Sequence, residues 1–208
     1  MMIPISKSDF LVSLAGGIFI GGALFDVLSE TIKNLGIATA LFWLLIGYGG
    51  WWIIKLVLQK LKKPALSPLT AIALWLHSVL EGMVTGLAFG VSQLFGLFIL
   101  IAMTLHVLPE FFAATTLMKG AGSSTKGSLT ATFAGFGLLY ASFGITYWLI
   151  TDFGTILPIA MALSGGAFLF VGLASFWKRK SLANFLALLI GIGIVFLQSS
   201  MHISLRSL

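Results

Sequence analysis

Apolar residues run through this chain in seven continuous blocks, each bounded by charged residues or by Gly/Pro-marked breaks. The blocks predict helices over Phe10–Ile32, Leu35–Leu58, Leu66–Gly90, Leu94–Met118, Leu129–Ile150, Thr155–Phe176 and Leu182–His202. Each holds about twenty residues or more, which as helix at about 1.5 Å per residue crosses the roughly 30 Å of bilayer hydrocarbon. Strands of an outer-membrane barrel would alternate apolar and polar positions, and these runs do not. The connections are too short to hold a second folded unit. The pattern therefore predicts an all-α fold: a polytopic membrane helix bundle of about seven transmembrane helices, forming one transmembrane domain over residues 1–208. No cleavable leader is expected, because Met1 to Asp9 is short and the first block continues to full spanning length.

Charge gives the bundle a direction. Only 9% of the residues are charged against 59% hydrophobic, too few to coat a soluble domain. A net charge of +6 would point to nucleic acid in a soluble protein; here the lysines sit in short loops and set topology, so nucleic acid is not an expected partner. If the helices alternate, the N-terminus shares one face with the loops after the second, fourth and sixth helices. That face holds Lys7, Lys55, Lys60, Lys62, Lys63, Lys119, Lys126, Lys178, Arg179 and Lys180, and the opposite face holds Lys33 and Arg206. The positive-inside rule then places the N-terminus in the cytoplasm and the C-terminus outside a cell membrane. The chain has no cysteine, which excludes disulfides and thiolate metal sites.

A short string recurs. Leu14-Ala15-Gly16-Gly17-Ile18-Phe19 in the first helix parallels Leu163-Ser164-Gly165-Gly166-Ala167-Phe168 in the sixth, with Gly21 and Gly172 following. The two helices run in opposite directions in the expected topology, which is the arrangement of an inverted repeat. Close packing of small residues between membrane helices would also produce such strings.

The pointed chemistry lies in the third and fourth helices, which carry His77-Ser78-Val79-Leu80-Glu81-Gly82 and His106-Val107-Leu108-Pro109-Glu110. In each, His and Glu are four apart and share one helix face. Both pairs fall near mid-membrane, where an ionisable group costs about 2.5 kcal/mol or more and is usually retained for function. The short connection near Val91–Gln93 makes the two helices antiparallel neighbours. If the faces meet, His77, Glu81, His106 and Glu110 offer two imidazoles and two carboxylates to one point. That donor set suits zinc, with manganese and ferrous iron as further candidates. Two carboxylates also neutralise a divalent cation, and metal binding is expected to displace protons. Gly82 and Gly86 allow close helix approach, and Pro109 frees a backbone carbonyl. A single His-Glu pair would read as a structural hydrogen bond; two pairs on adjacent helices favour a metal or proton pathway.

Ser78 is either a weak additional ligand or a packing hydroxyl. Asp26 and Glu30, four apart near the outer end of the first helix, are either a cation-collecting vestibule or two interfacial acids. His202, Asp152 and Lys33 fit interfacial roles, as do most of the tryptophans.

At these residues the chain resembles the ZIP (zinc/iron-regulated transporter-like) family of divalent-metal transporters. The stretch from Leu14 through Asp26-Val27-Leu28-Ser29-Glu30 is similar to the family's second helix, which commonly has His at the place of Asp26 and Pro at that of Ser29. His77-Ser78-Val79-Leu80-Glu81-Gly82 resembles the fourth-helix motif His-Asn-x-x-Asp/Glu-Gly, and His106-Val107-Leu108-Pro109-Glu110 the fifth-helix motif. The resemblance covers most of the chain but for the family's first helix, and a seven-helix remainder with N-terminus inside agrees with the lysines. It implies a metal site at His77, Glu81, His106 and Glu110. The family's second metal position uses Asn or Gln after one histidine and an acid after the other; Ser78 and Val107 stand there, so a binuclear centre is not expected. Lys60-Leu61-Lys62-Lys63-Pro64 replaces the family's histidine-rich loop.

The expected function is movement of a divalent metal toward the cytoplasm, with Zn2+ as the transported substrate and Fe2+, Mn2+ or Cd2+ as further candidates. The chain is read as a membrane transporter and not an enzyme. The alternatives are an intramembrane zinc-dependent hydrolase and a non-transporting metal-binding protein. No nucleotide-binding loop is present to supply direct ATP drive. Expected partners are the metal ion and the lipid bilayer, with a homodimer as a further expectation.

Overall fold

The structure, a computed structural model, describes the backbone of residues 7–60, 66–91, 93–149, 156–177 and 181–206; within these stretches the side chains of residues 7, 8, 91, 95, 98, 102, 105, 106 and 201–206 are outside the description. Every element among the described residues is helical: α1 (Lys7–Gly21), a π-helical segment (Gly22–Leu28), α2 (Ser29–Leu35), α3 (Ile37–Lys60), α4 (Leu66–Val91), α5 (Gln93–Gly120), α6 (Thr125–Leu149), α7 (Ile156–Phe176) and α8 (Leu182–Arg206). The first three are continuous and act as one rod, Asp9–Leu35, so the described residues form seven rods. Six spans are long and apolar enough to cross a bilayer, and α5 adds a rod of 28 residues. The chain is a multi-pass membrane protein, and the expected all-α bundle is what the structure holds.

Local chemistry explains where the rods begin and end. Gly36 adopts φ 76°, a left-handed conformation that ends α2 cheaply only in glycine, and α3 starts at the next residue. After α5, Gly122 at φ 96° closes a Schellman turn, with Ser123 N–H donating to Met118 O and Gly122 N–H to Lys119 O. Ser124 Oγ then accepts from Gly127 N–H and caps α6, which therefore begins at Thr125, four residues before the apolar block suggests. Only residue 92 separates α4 from α5, and the Phe89 ring packs over Gly96 across that connection.

The π-helical segment has side-chain support. Bonds from i to i+5 disturb the regular ladder, and hydrocarbon offers no water to repair it. Ser29 Oγ donates to Phe25 O and Asp26 O, and Thr31 Oγ1 to Val27 O at 2.9 Å and Leu28 O. Two hydroxyls thus hold four carbonyls of the segment.

Two kinds of helix follow from burial. In the first rod, α7 and α4, 67%, 61% and 50% of the apolar window is buried; in α3, α6 and α8 the shares are 17%, 22% and 33%. The first group forms the interior and the second faces lipid with residues such as Phe42, Ile53, Phe133 and Leu197. Glycines set the closest approaches. A Cβ on Gly17 would strike the α8 backbone at Leu188, and one on Gly191 the α1 backbone at Leu14. Likewise a Cβ on Gly166 would strike the α3 backbone between Leu44 and Tyr48, and one on Gly47 the α7 backbone at Leu163. α1 and α7 meet in the middle: Gly16 lies against Gly172 and Ser175, Gly22 against Phe168, and Gly165 against Val27. The numbers ascend on one helix as they descend on the other, so the two are antiparallel.

Candidate metal centre

The centre sits where α4, α5, α7 and the π-helical segment converge. His77 and Glu81 project from α4 one turn apart, and Glu110 projects from α5. All three side chains are buried. His77 is about 16 Å along the span from Leu66 and Glu81 about 14 Å from its end at Gly90, which puts both near mid-membrane.

His77 Nε2 lies 3.3 Å from Glu81 Oε1 and 3.6 Å from Glu110 Oε2. One ligand atom from each residue falls within 4.8 Å of the others. Donors at about 2.1 Å from a tetrahedral zinc stand about 3.4 Å from one another. The two measured edges are already at that spacing. Two carboxylates and a neutral imidazole would leave a bound divalent cation close to overall neutrality, which a low-dielectric interior requires.

The other face of His77 is held by α7. Its Nδ1 is 3.1 Å from Ser164 Oγ. With the ring proton on Nδ1, the hydroxyl accepts it and Nε2 keeps its lone pair toward the carboxylates, the tautomer a metal ligand needs. The Phe168 ring packs on the imidazole at 4.4 Å between centroids. Gly22 completes the wall: a Cβ there would come within 3.0 Å of Glu110 Oε1 and 3.5 Å of Phe168. Glycine leaves Glu110 its place.

The other expected site residues fall elsewhere or outside the description. His106 lies within α5 one turn before Glu110, and its side chain is outside the described residues. Ser78, fully buried, turns toward α6, where a Cβ on Gly135 would lie 3.4 Å from its Oγ. Asp26 sits in the π-helical segment and accepts a hydrogen bond from Ser199 Oγ of α8. Glu30 pairs with Lys33 at 3.1 Å on the partly exposed end of α2, an ion pair of small energetic weight. Neither acid joins the cluster with His77.

Sequence reasoning missed Ser164, Phe168 and Gly22 as parts of the site. A signal for Ser164 was present: it is the one hydroxyl in the recurring string, where the other copy has Ala15.

Fold and site together define a multi-pass helical membrane protein with a buried His-Glu-Glu group that could hold a metal ion. Compared with protein-family models and with curated proteins, the chain finds no match.

Proposed function

We propose that this protein carries a divalent metal ion across the membrane, with zinc as the best-suited substrate and His77, Glu81, His106 and Glu110 as its ligands. The observation that carries the reading is the His-Glu-Glu group itself: buried at mid-membrane, with Nε2-to-carboxylate spacings of 3.3 and 3.6 Å. Imidazole and carboxylate donors favour zinc, and ferrous iron, manganese and cadmium share enough of that chemistry to compete. Asp26 lies on the side of the centre away from the lysine-rich face, one turn inward of Glu30. The lysine distribution marks which face is cytoplasmic, and movement toward that face is what the resemblance to the ZIP family implies. The resemblance of the three motifs to the ZIP family, in order and spacing, supports the same reading.

A catalytic zinc would need three protein ligands, an open water position and a separate acid or base. Hydrolysis of lipid or peptide substrates by the purified protein would favour that reading instead. Vesicles containing the purified protein and a zinc-sensitive dye test the proposal. Glu81→Ala should abolish a zinc influx that the native chain supports, and Leu108→Ala, on the lipid face, should leave it intact. Equal influx in native, Glu81→Ala and empty vesicles would refute carriage.

A further inference from the structure

We propose that Phe19 and Phe168 form the gate that closes the metal pathway on the lysine-rich side of the centre. The proposal rests on the transport reading above and adds the residues that would control one end of the route.

Both rings are fully buried and stand 4.5 Å apart between centroids. Phe168 also packs on the imidazole of His77, at 4.4 Å between centroids. The three rings thus form a run of tilted contacts from the metal centre, where Phe168 also faces Gly22, to Phe19. Its direction follows from the helices. Phe19 precedes Gly22, which marks the level of Glu110, and so lies toward the N-terminal end of α1. Phe168 follows Ser164, which marks the level of His77, and so lies toward the C-terminal end of α7. Because α1 and α7 are antiparallel, those two directions are the same one, and it leads to the start of α1 at Lys7 and the end of α7 at Phe176. Asp26 lies the opposite way. Beyond the rings the helices close further: a Cβ on Gly172 would press on Gly16 O and Ile20. An ion at the centre therefore meets an aromatic plug and then a backbone seam on this side.

The placement of the plug has a second meaning. Phe19 and Phe168 are each the sixth residue of the recurring string, and they touch one another. Equivalent residues of two repeats meet only at the axis that relates them. A rocking of one repeat against the other separates such a pair without deforming either helix, which is how alternating access opens one side. Bare rings offer no donor to a dehydrated ion, so the pair blocks passage and does not bind cargo.

The chain's lack of cysteine makes the test clean. Ser164→Cys places one thiol at the centre, and a membrane-impermeant methanethiosulfonate reagent is applied to each face of oriented vesicles in turn. In that background Phe168→Ala and Phe19→Ala should each speed modification from the N-terminal face by about tenfold or more, since loss of a ring leaves a void larger than a water molecule. The rate from the other face should stay within about twofold, because the outer wall keeps its packing. Phe19→Leu, which fills more of the space, should give a smaller increase and covers the case in which an alanine variant misfolds. Phe112→Ala, at a lipid-facing position, should give none. No acceleration in any ring variant, or equal acceleration from both faces, would overturn the gate. The assay does not need zinc to move. Accessibility that changes as stated, while vesicles of the native chain show no zinc flux, leaves the gate to the centre standing and refutes carriage; zinc flux by the native chain with unchanged accessibility does the reverse.

Discussion

α1 and α7 carry nearly the same string and use half of it in the same way. In α1, Gly17 meets the backbone of α8 and Gly191 answers from α8; in α7, Gly166 meets the backbone of α3 and Gly47 answers from α3. Each interior helix thus clasps one peripheral helix through a glycine pair. The other half of each string diverges. α7 presents Ser164 and Phe168 to His77 and continues as α-helix to Phe176, whereas α1 has Ala15 at the matching place and passes into the π-helical segment beyond Gly21. The shared glycines build scaffold, whereas Ser164, which differs from its counterpart, and Phe168, which does not, touch the centre.

That division is open to attack, beginning with the largest expected effect. Glu81→Ala or Glu110→Ala should weaken zinc binding in detergent by more than about 100-fold, because ligands weigh more than the outer-shell groups whose loss costs roughly 10–100-fold. Titration calorimetry would read this, with Leu108→Ala unchanged. The loss read from these variants is one of zinc affinity. For the scaffold glycines it is one of stability. Gly17→Ala and Gly166→Ala should each destabilise the fold by about 1–3 kcal/mol or more, as the added carbon meets backbone that has no free end to swing away. Gly49→Ala and Gly193→Ala, where a Cβ meets nothing within 4 Å, should be neutral or slightly stabilising, by up to about 1 kcal/mol. If Gly17 tolerates alanine while Gly166 does not, the two clasps are not equivalent.

The differing position gives a subtler test. Ser164→Ala should weaken zinc binding by about tenfold through loss of the hydrogen bond that orients His77, while the reciprocal Ala15→Ser should leave affinity unchanged. Equal losses in both would mean that packing at the string, and not the hydroxyl, sets affinity. Smallest of all, Lys33→Ala should shift stability by less than about 0.5 kcal/mol, because its pair with Glu30 is exposed. A larger loss would give the outer end of α2 a structural role that the comparison denies it.

The rods were legible because continuous apolar runs of spanning length fit helices and not barrel strands, and their ends shifted mainly where polar residues extend a helix past the apolar block, as Thr125–Ser128 do behind the Ser124 cap. The π-helical segment was not legible: its signature is a change of hydrogen-bond register inside a rod apolar on most sides, which leaves no periodic trace. His77, Glu81 and Glu110 could be named because i, i+4 spacing fixes a shared face. Which groups meet across helices depends on rotation of each rod, and that is set by glycine clasps far along the chain from the site. Ser164 is 87 residues from His77, and on the same helix Gly166 lies against the α3 backbone.

Zinc-edge X-ray absorption on the purified, zinc-loaded protein tests the central claim most directly. One zinc per chain with only nitrogen and oxygen neighbours at about 2.0–2.2 Å is the expected result, and Glu110→Ala should abolish the bound ion. Zinc retained in full by the Glu81→Ala/Glu110→Ala double variant, or a shell of water oxygens alone, would contradict a metal centre at His77, Glu81 and Glu110.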